Sequence, residues 1–256
     1  MSARPLAIFI HGFIGTLAID GYAPPHAAPS LLGYGTHRDV PAERITLPGQ
    51  VEHLRAFIDA QPGMARVDLV GHSVGGAIAM LFAHAYPERV RRIVNIEGNF
   101  TLDDAFWSAS VGRMTAHEAE AMLAGFRADP AQWLGGAVTH VTPAMARTAA
   151  HWLDHQPAAT LRAMGRSVVD TTGNAAYLEA VAAVFARHRV CLVAGDRSRG
   201  GWHVPGWALA RCVACEIVPG SGHLPAIEQP AALAAVLDRF LDAADASDPA
   251  APADAR

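Results

Sequence analysis

The chain has 256 residues, of which 51% are apolar, and a formal net charge of −4 with its histidines neutral. That length suits one α/β domain carrying an insertion. The mild acidity, without a basic stripe, speaks against nucleic acid, and no run reaches the roughly 18 apolar residues of a membrane span. The apolar run within Met1–Phe13 is expected to be the first strand of the domain rather than a signal peptide, because no cleavage site follows it, and a cytoplasmic location is expected. Lysine is absent and alanine abundant, a bias that reads as coding background rather than function.

In chain order, Pro5–Ile10 reads as a fully buried strand that ends in His11-Gly12-Phe13. Only a short stretch rich in Gly and Pro, Ile14–Ala28, separates it from Pro29-Ser30-Leu31-Leu32-Gly33-Tyr34-Gly35. A second buried strand, Val67-Asp68-Leu69-Val70, runs into Gly71-His72-Ser73-Val74-Gly75-Gly76, and a helix-forming apolar stretch, Ala77–Ala85, follows at once. Strand, Gly-x-Ser-x-Gly and helix in that order make a nucleophile elbow, a tight turn that lifts the Ser73 hydroxyl clear of the sheet. Gly71 and Gly75 suit it because a turn with positive φ at its tip leaves no room for flanking side chains. A helix starting at Val74 aims its free N–H groups at negative charge developing near Ser73.

Val90–Ile96 is a third strand and delivers Glu97, followed by Gly98. A carboxylate directly after an apolar run is costly unless it finds a partner there. From Asn99 to His188 no convincing strand occurs; helical segments are predicted at Thr115–Ala128, Pro143–His155 and Ala175–Arg187, the first opened by a Thr115-x-x-Glu118 capping box. Val190–Ala194 returns to the sheet and leads into Gly195-Asp196-Arg197-Ser198. Cys215–Pro219 is the last strand, followed by Gly220-Ser221-Gly222-His223-Leu224-Pro225 and a helix predicted over Ile227–Ala244. A histidine on a Gly-rich loop near the carboxyl edge of a sheet is where a general base for Ser73 belongs. The tail beyond Ala243 has no apolar period and is expected to be disordered.

His-Gly-Phe, Gly-His-Ser-Val-Gly-Gly and Gly-Ser-Gly-His, in that order, resemble the α/β-hydrolase family from Leu6 to Leu241. The resemblance implies a mostly parallel sheet flanked by helices, here shortened at the N-terminus, with 1–98 and 189–244 as core, 99–188 as a helical cap and 245–256 as tail. It also implies Ser73 as nucleophile, His223 as base, and the backbone N–H groups of Phe13 and Val74 as oxyanion hole. Two strands usual before His-Gly are missing, one further strand is expected to be vestigial, and Ser30 replaces a usual Asp. Most relatives carry the triad acid three residues beyond the glycine that ends the penultimate strand, a position held here by Ser198. Glu97 is the preferred acid, as in relatives that place a Glu after the strand following the elbow helix; Asp196, Asp103 and Asp104 remain open.

The expected activity is serine-dependent cleavage of a small carboxylic ester through an acyl-enzyme, with no cofactor and no metal. The serine argues against dehalogenase or epoxide hydrolase chemistry, for which relatives use Asp at this position. C–C bond hydrolysis, thioester or amide cleavage, acyl transfer, perhydrolysis and weakly hydrolytic ligand binding use the same constellation. His151 and His155 have the i,i+4 spacing of a helical metal site, but no third ligand is evident nearby. Cys191, Cys212 and Cys215 are expected to be packed free thiols.

Overall fold

The computed structural model describes residues 5–243, so the expected tail at 245–256 lies outside the described residues. The strands are β1 (Ala7–Ile10), β2 (His26–Ala27), β3 (Val67–His72), β4 (Val90–Ile96), β5 (Arg189–Gly195) and β6 (Ala214–Val218). Helices α1 (Leu47–Asp59) and α2 (Val74–Ala85) flank β3. Between β4 and β5 come α3 (Phe106–Arg113), α4 (Ala116–Ala128), α5 (Pro130–Gly135), α6 (Pro143–Asp154), α7 (Ala158–Thr172) and α8 (Ala175–Arg187). The chain closes with α9 (Gly206–Arg211), α10 (Pro225–Glu228) and α11 (Pro230–Asp242).

The strands form one parallel sheet in the order β2-β1-β3-β4-β5-β6. The central strands are continuous apolar runs because helices cover both faces. Alternate residues feed two apolar clusters. Ile8, Leu69, Ile93 and Val190 pack with α1, α2 and α8, and that cluster continues through Phe100, Leu123, Leu153 and Leu161 of the stretch after β4. Phe9, Val70, Val94 and Val193 face the opposite side, where Leu233, Leu237 and Leu241 of α11 and the Leu17–Tyr22 loop cover them. The N-terminal side is indeed short: β2 pairs with β1 through two residues.

Register fixes where the site lies. Ile10 is level with Gly71, Gly71 with Asn95, and Asn95 with Leu192. The loops after β1, β3, β4 and β5 therefore leave the sheet at one carboxyl edge, beside the β1/β3 boundary where strand order reverses. In open α/β sheets that is where ligands bind.

The capping box forms as read, with Glu118 N–H donating to Thr115 Oγ1 (3.2 Å) and Thr115 N–H to Glu118 Oε2 (2.7 Å). Two readings need correction. The helix predicted over Ile227–Ala244 is two helices, because Pro230 disfavours the α region for Gln229, whose φ is −139°. Cys191 is buried, but Cys212 is half-buried and Cys215 exposed, so the thiols are free without all being packed. Among the described residues no group of three or more His, Cys, Asp or Glu side chains is placed to hold a metal, and no helix is long and apolar enough to cross a membrane. His155 instead packs against His11 and Tyr34.

One buried ion pair ties the layers. Both carboxylate oxygens of Asp68 on β3 accept from Arg91 on β4, at 2.9 and 2.5 Å, and Arg91 also donates to the Leu241 carbonyl (2.7 Å). Burial raises the Asp68 carboxyl above its ordinary pKa despite the Arg91 guanidinium. Removing one partner of such a pair leaves a charge without compensation. Asp68→Ala is expected to cost about 3 kcal/mol in denaturant unfolding; a loss below about 1 kcal/mol would make the pair dispensable.

Candidate active site

Ser73 leaves β3 with φ +53° and ψ −124°, a backbone that non-glycine residues rarely adopt. It is held there by Ser73 N–H donating to the Ile96 carbonyl (2.9 Å) and Gly76 N–H donating to the Ser73 carbonyl (2.8 Å). A Cβ on Gly75 would overlap the Ile10 carbonyl, and one on Gly71 would overlap the Gly75 carbonyl. Both glycines are therefore required by the close approach of β1, β3 and α2. Ser73 sits at the N-terminus of α2, whose first residue is Val74. Phe13, from the loop after β1, is buried, and its carbonyl accepts from the Tyr34 hydroxyl (2.9 Å).

Glu97 follows β4 with φ +44°, the other non-glycine residue of positive φ among those described. Its side chain is 4% exposed and reaches His223 Nδ1 through Oε2 at 2.7 Å. Oε1 accepts from the Gly195 N–H (2.8 Å) and the Ser198 hydroxyl (2.5 Å). Burial alone would raise the Glu97 pKa; His223, Ser198 and Gly195 together outweigh it and hold the carboxyl below its ordinary value. The group is an anion at neutral pH. With Nδ1 occupied by the carboxylate, Nε2 of His223 is the nitrogen left for proton traffic.

The other acids read from the sequence do different work. Asp196 accepts from the Gly220 N–H (2.9 Å). Asp104 accepts from Phe100, Thr101 and His203 N–H groups and so staples the loop after β4 to the loop after β5. Asp103 is exposed. None of these three has a hydrogen bond to His223 among the described contacts.

Three supporting residues were not singled out for such roles by sequence. Ser198, three residues beyond the glycine that ends β5, donates its hydroxyl to the Glu97 carboxylate. Glu228 accepts from the Gly222 N–H (2.7 Å) and pairs with Arg197, which donates to the Gly220 carbonyl (2.9 Å), bracing the loop that carries His223. His72 joins its Nε2 to the His223 carbonyl at 2.7 Å, and the two rings lie 4.8 Å apart. A carbonyl can only accept, so His72 carries its proton on Nε2. Burial, reinforced by the nearby His223, lowers its pKa to about 3 and keeps it neutral. Only the adjacency of His72 to Ser73 hinted at this in the sequence.

Ser73, His223, Glu97, Phe13 and Val74 all line one cavity of about 630 Å³. Much of the rest of its wall comes from the stretch between β4 and β5, including Trp107, Phe126, Trp133 and Trp152. A cavity of this size accommodates an ordinary small organic ligand.

Comparison with known proteins agrees with this architecture. The model of the alpha/beta hydrolase family matches residues 7–236, and the chain belongs to that family. An uncharacterised protein of Mycobacterium tuberculosis is 28% identical over 239 residues, covering 84% of this chain and 67% of the relative. A 2-hydroxy-6-oxo-2,4-heptadienoate hydrolase from Pseudomonas putida is 40% identical over 67 residues, 26% of this chain and 24% of its own. The crystal structure of Cfl2 from Burkholderia cenocepacia superposes with a TM-score of 0.71 at 20% identity, covering 94% of this chain and 89% of that one.

The buried imidazoles set a pH dependence. Burial lowers the pKa of His11 to about 4, and His72 lies at about 3, against 6.5 for the free group. Below pH 6.5 the unfolded chain takes up protons that the folded one refuses, so stability is full above that pH and falls as pH drops toward 4. Thermal unfolding followed over that window is expected to show this fall, with a shallower slope in His72→Gln. Identical slopes would mean that His72 is protonated in the native state.

Proposed function

We propose that this alpha/beta hydrolase cleaves carboxylic esters through Ser73, His223 and Glu97. The observation that carries the reading is the buried Glu97 carboxylate on His223 Nδ1, within the same cavity as a serine held at φ +53°. His223 Nε2 takes the Ser73 proton as Oγ attacks the ester carbonyl. The N–H groups of Phe13 and Val74 hold the oxyanion, and Glu97 fixes the imidazole tautomer and stabilises its positive charge. His223 returns the proton to the leaving alcohol, then activates the water that releases the acid. In this reading 99–188 acts as a cap over the serine; its aromatic contributions to the cavity support that division.

C–C bond hydrolysis is the second reading, favoured by the local likeness to the Pseudomonas putida hydrolase. Serine, histidine and carboxylate serve it equally, and substrate profiling separates the two.

The test is intact-mass labelling with a fluorophosphonate, with p-nitrophenyl acetate hydrolysis followed in parallel. One adduct on the parent, none on Ser73→Ala and loss of turnover together are the expected outcome. An unlabelled, folded parent would contradict the reading. Glu97→Gln is expected to cut turnover on the order of 10⁴-fold, as when a triad acid is neutralised, and Asp196→Asn far less. Equal, small effects would remove Glu97 from its role.

A further inference from the structure

The cavity walls carry a pattern that ester chemistry by itself does not require. Four rings follow one another along one wall. Phe13 packs edge-on against Trp107 at 5.3 Å between centroids, Trp107 lies 6.5 Å from Phe126, and Phe126 lies 6.0 Å from Trp133. The strip starts at the residue whose N–H is assigned to the oxyanion hole and climbs to α5. Phe13 is buried, whereas Trp107, Phe126 and Trp133 are only half-buried although they border the core. They therefore keep apolar surface uncovered where all four line the cavity. Rings spaced in this way offer faces and edges to another flat group.

The charges on the same walls have the opposite tendency to a carboxylate site. Among the described lining residues the permanent charges are Glu97, Asp104 and Arg197. Arg197 is the one cation and is already committed to Glu228 at 2.5 Å and to the Gly220 carbonyl. The Glu228 side chain is 6% exposed, so drawing Arg197 away would strand a buried carboxylate. A substrate anion would meet two carboxylates, and the one permanent cation beside it already carries Glu228 and the Gly220 carbonyl.

Resting on the ester-hydrolase reading, we propose that the cavity selects uncharged esters bearing a flat aromatic group that lies along Phe13, Trp107, Phe126 and Trp133, and that it rejects the same esters carrying a carboxylate on that group. The site thereby separates itself from hydrolysis of carboxylates such as a heptadienoate, despite the local likeness to an enzyme named for that substrate.

The experiment measures kcat/KM for two matched pairs. One pair is 2-naphthyl acetate and its 6-carboxylate; the other is ethyl 3-(2-naphthyl)propanoate and its 6-carboxylate, so that either side of the ester can carry the ring. Fluorophosphonate labelling of Ser73 accompanies each preparation. In at least one pair the neutral ester is expected to exceed its carboxylate on the order of a hundredfold, the cost of burying an unpaired charge. Trp133→Ala is expected to lower the preference for naphthyl over ethyl acetate by roughly tenfold, with Trp133→Phe restoring most of it. Carboxylates within about threefold of their neutral partners in both pairs, with Ser73 labelled, would overturn the proposal.

A missing Ser73 adduct would instead remove the ester-hydrolase reading. The cavity claim is then decided by quenching of tryptophan fluorescence with 2-naphthol and 6-hydroxy-2-naphthoate. Binding of the neutral ring about tenfold tighter would support the proposal, and equal binding would overturn it.

Discussion

A buried carboxylate beside a sheet edge is unstable unless every oxygen is engaged, and the loops around Glu97 are arranged to engage it. One oxygen takes His223 Nδ1; the other takes the Gly195 N–H and the Ser198 hydroxyl. Reaching those partners requires a left-handed backbone at Glu97, at φ +44°. The strain and the desolvation are offset together by three hydrogen bonds, one from the last residue of β5, one from the loop after it and one from the loop after β6. Losing any of the three donors destabilises the ionised form, and the Glu97 carboxylate is the hydrogen-bond partner that fixes the tautomer of His223.

The same constraint explains why the loops after β4 and β5 behave as one unit. Beyond Glu97, Trp202 Nε1 donates to the Gly98 carbonyl (2.8 Å), and His203 N–H donates to Asp104 (2.8 Å). The loop carrying His223 is pinned separately, by Glu228 and Arg197 from one side and by His72 from the other. Since His72 immediately precedes Ser73, the strand that delivers the serine also positions the backbone of His223. Parallel register brings these segments to one edge, and the hydrogen bonds set distances that register alone leaves loose.

Much of this was legible in the sequence, for reasons that differ by residue. Ser73 could be read because the elbow needs glycine at fixed offsets and a strand and helix at fixed sides. Glu97 could be read because a carboxylate ending an apolar strand demands a partner. The α7 helix was missed: Thr160, Gly165, Ser167, Thr171 and Thr172 weaken its helical propensity, and it is held by Leu161, Met164 and Val168 packing into the core. Ser198 and the hydrogen bond from His72 were missed because they act across 101 and 151 positions of chain. Glu228 was missed because it joins Arg197, 31 positions away, and a backbone N–H that no local spacing encodes. The order of the aromatic residues of 99–188 as a strip follows from tertiary packing, which local spacing does not encode.

Glu97, rather than Asp196, is the carboxylate hydrogen-bonded to His223 Nδ1. The most direct measurement is the proton NMR signal of the His223 Nδ1–H, which lies well downfield of amide protons when shared with a carboxylate. Such a signal is expected in the parent and in Asp196→Asn, and its disappearance in Glu97→Gln. A downfield signal that survives Glu97→Gln and vanishes in Asp196→Asn would contradict that assignment.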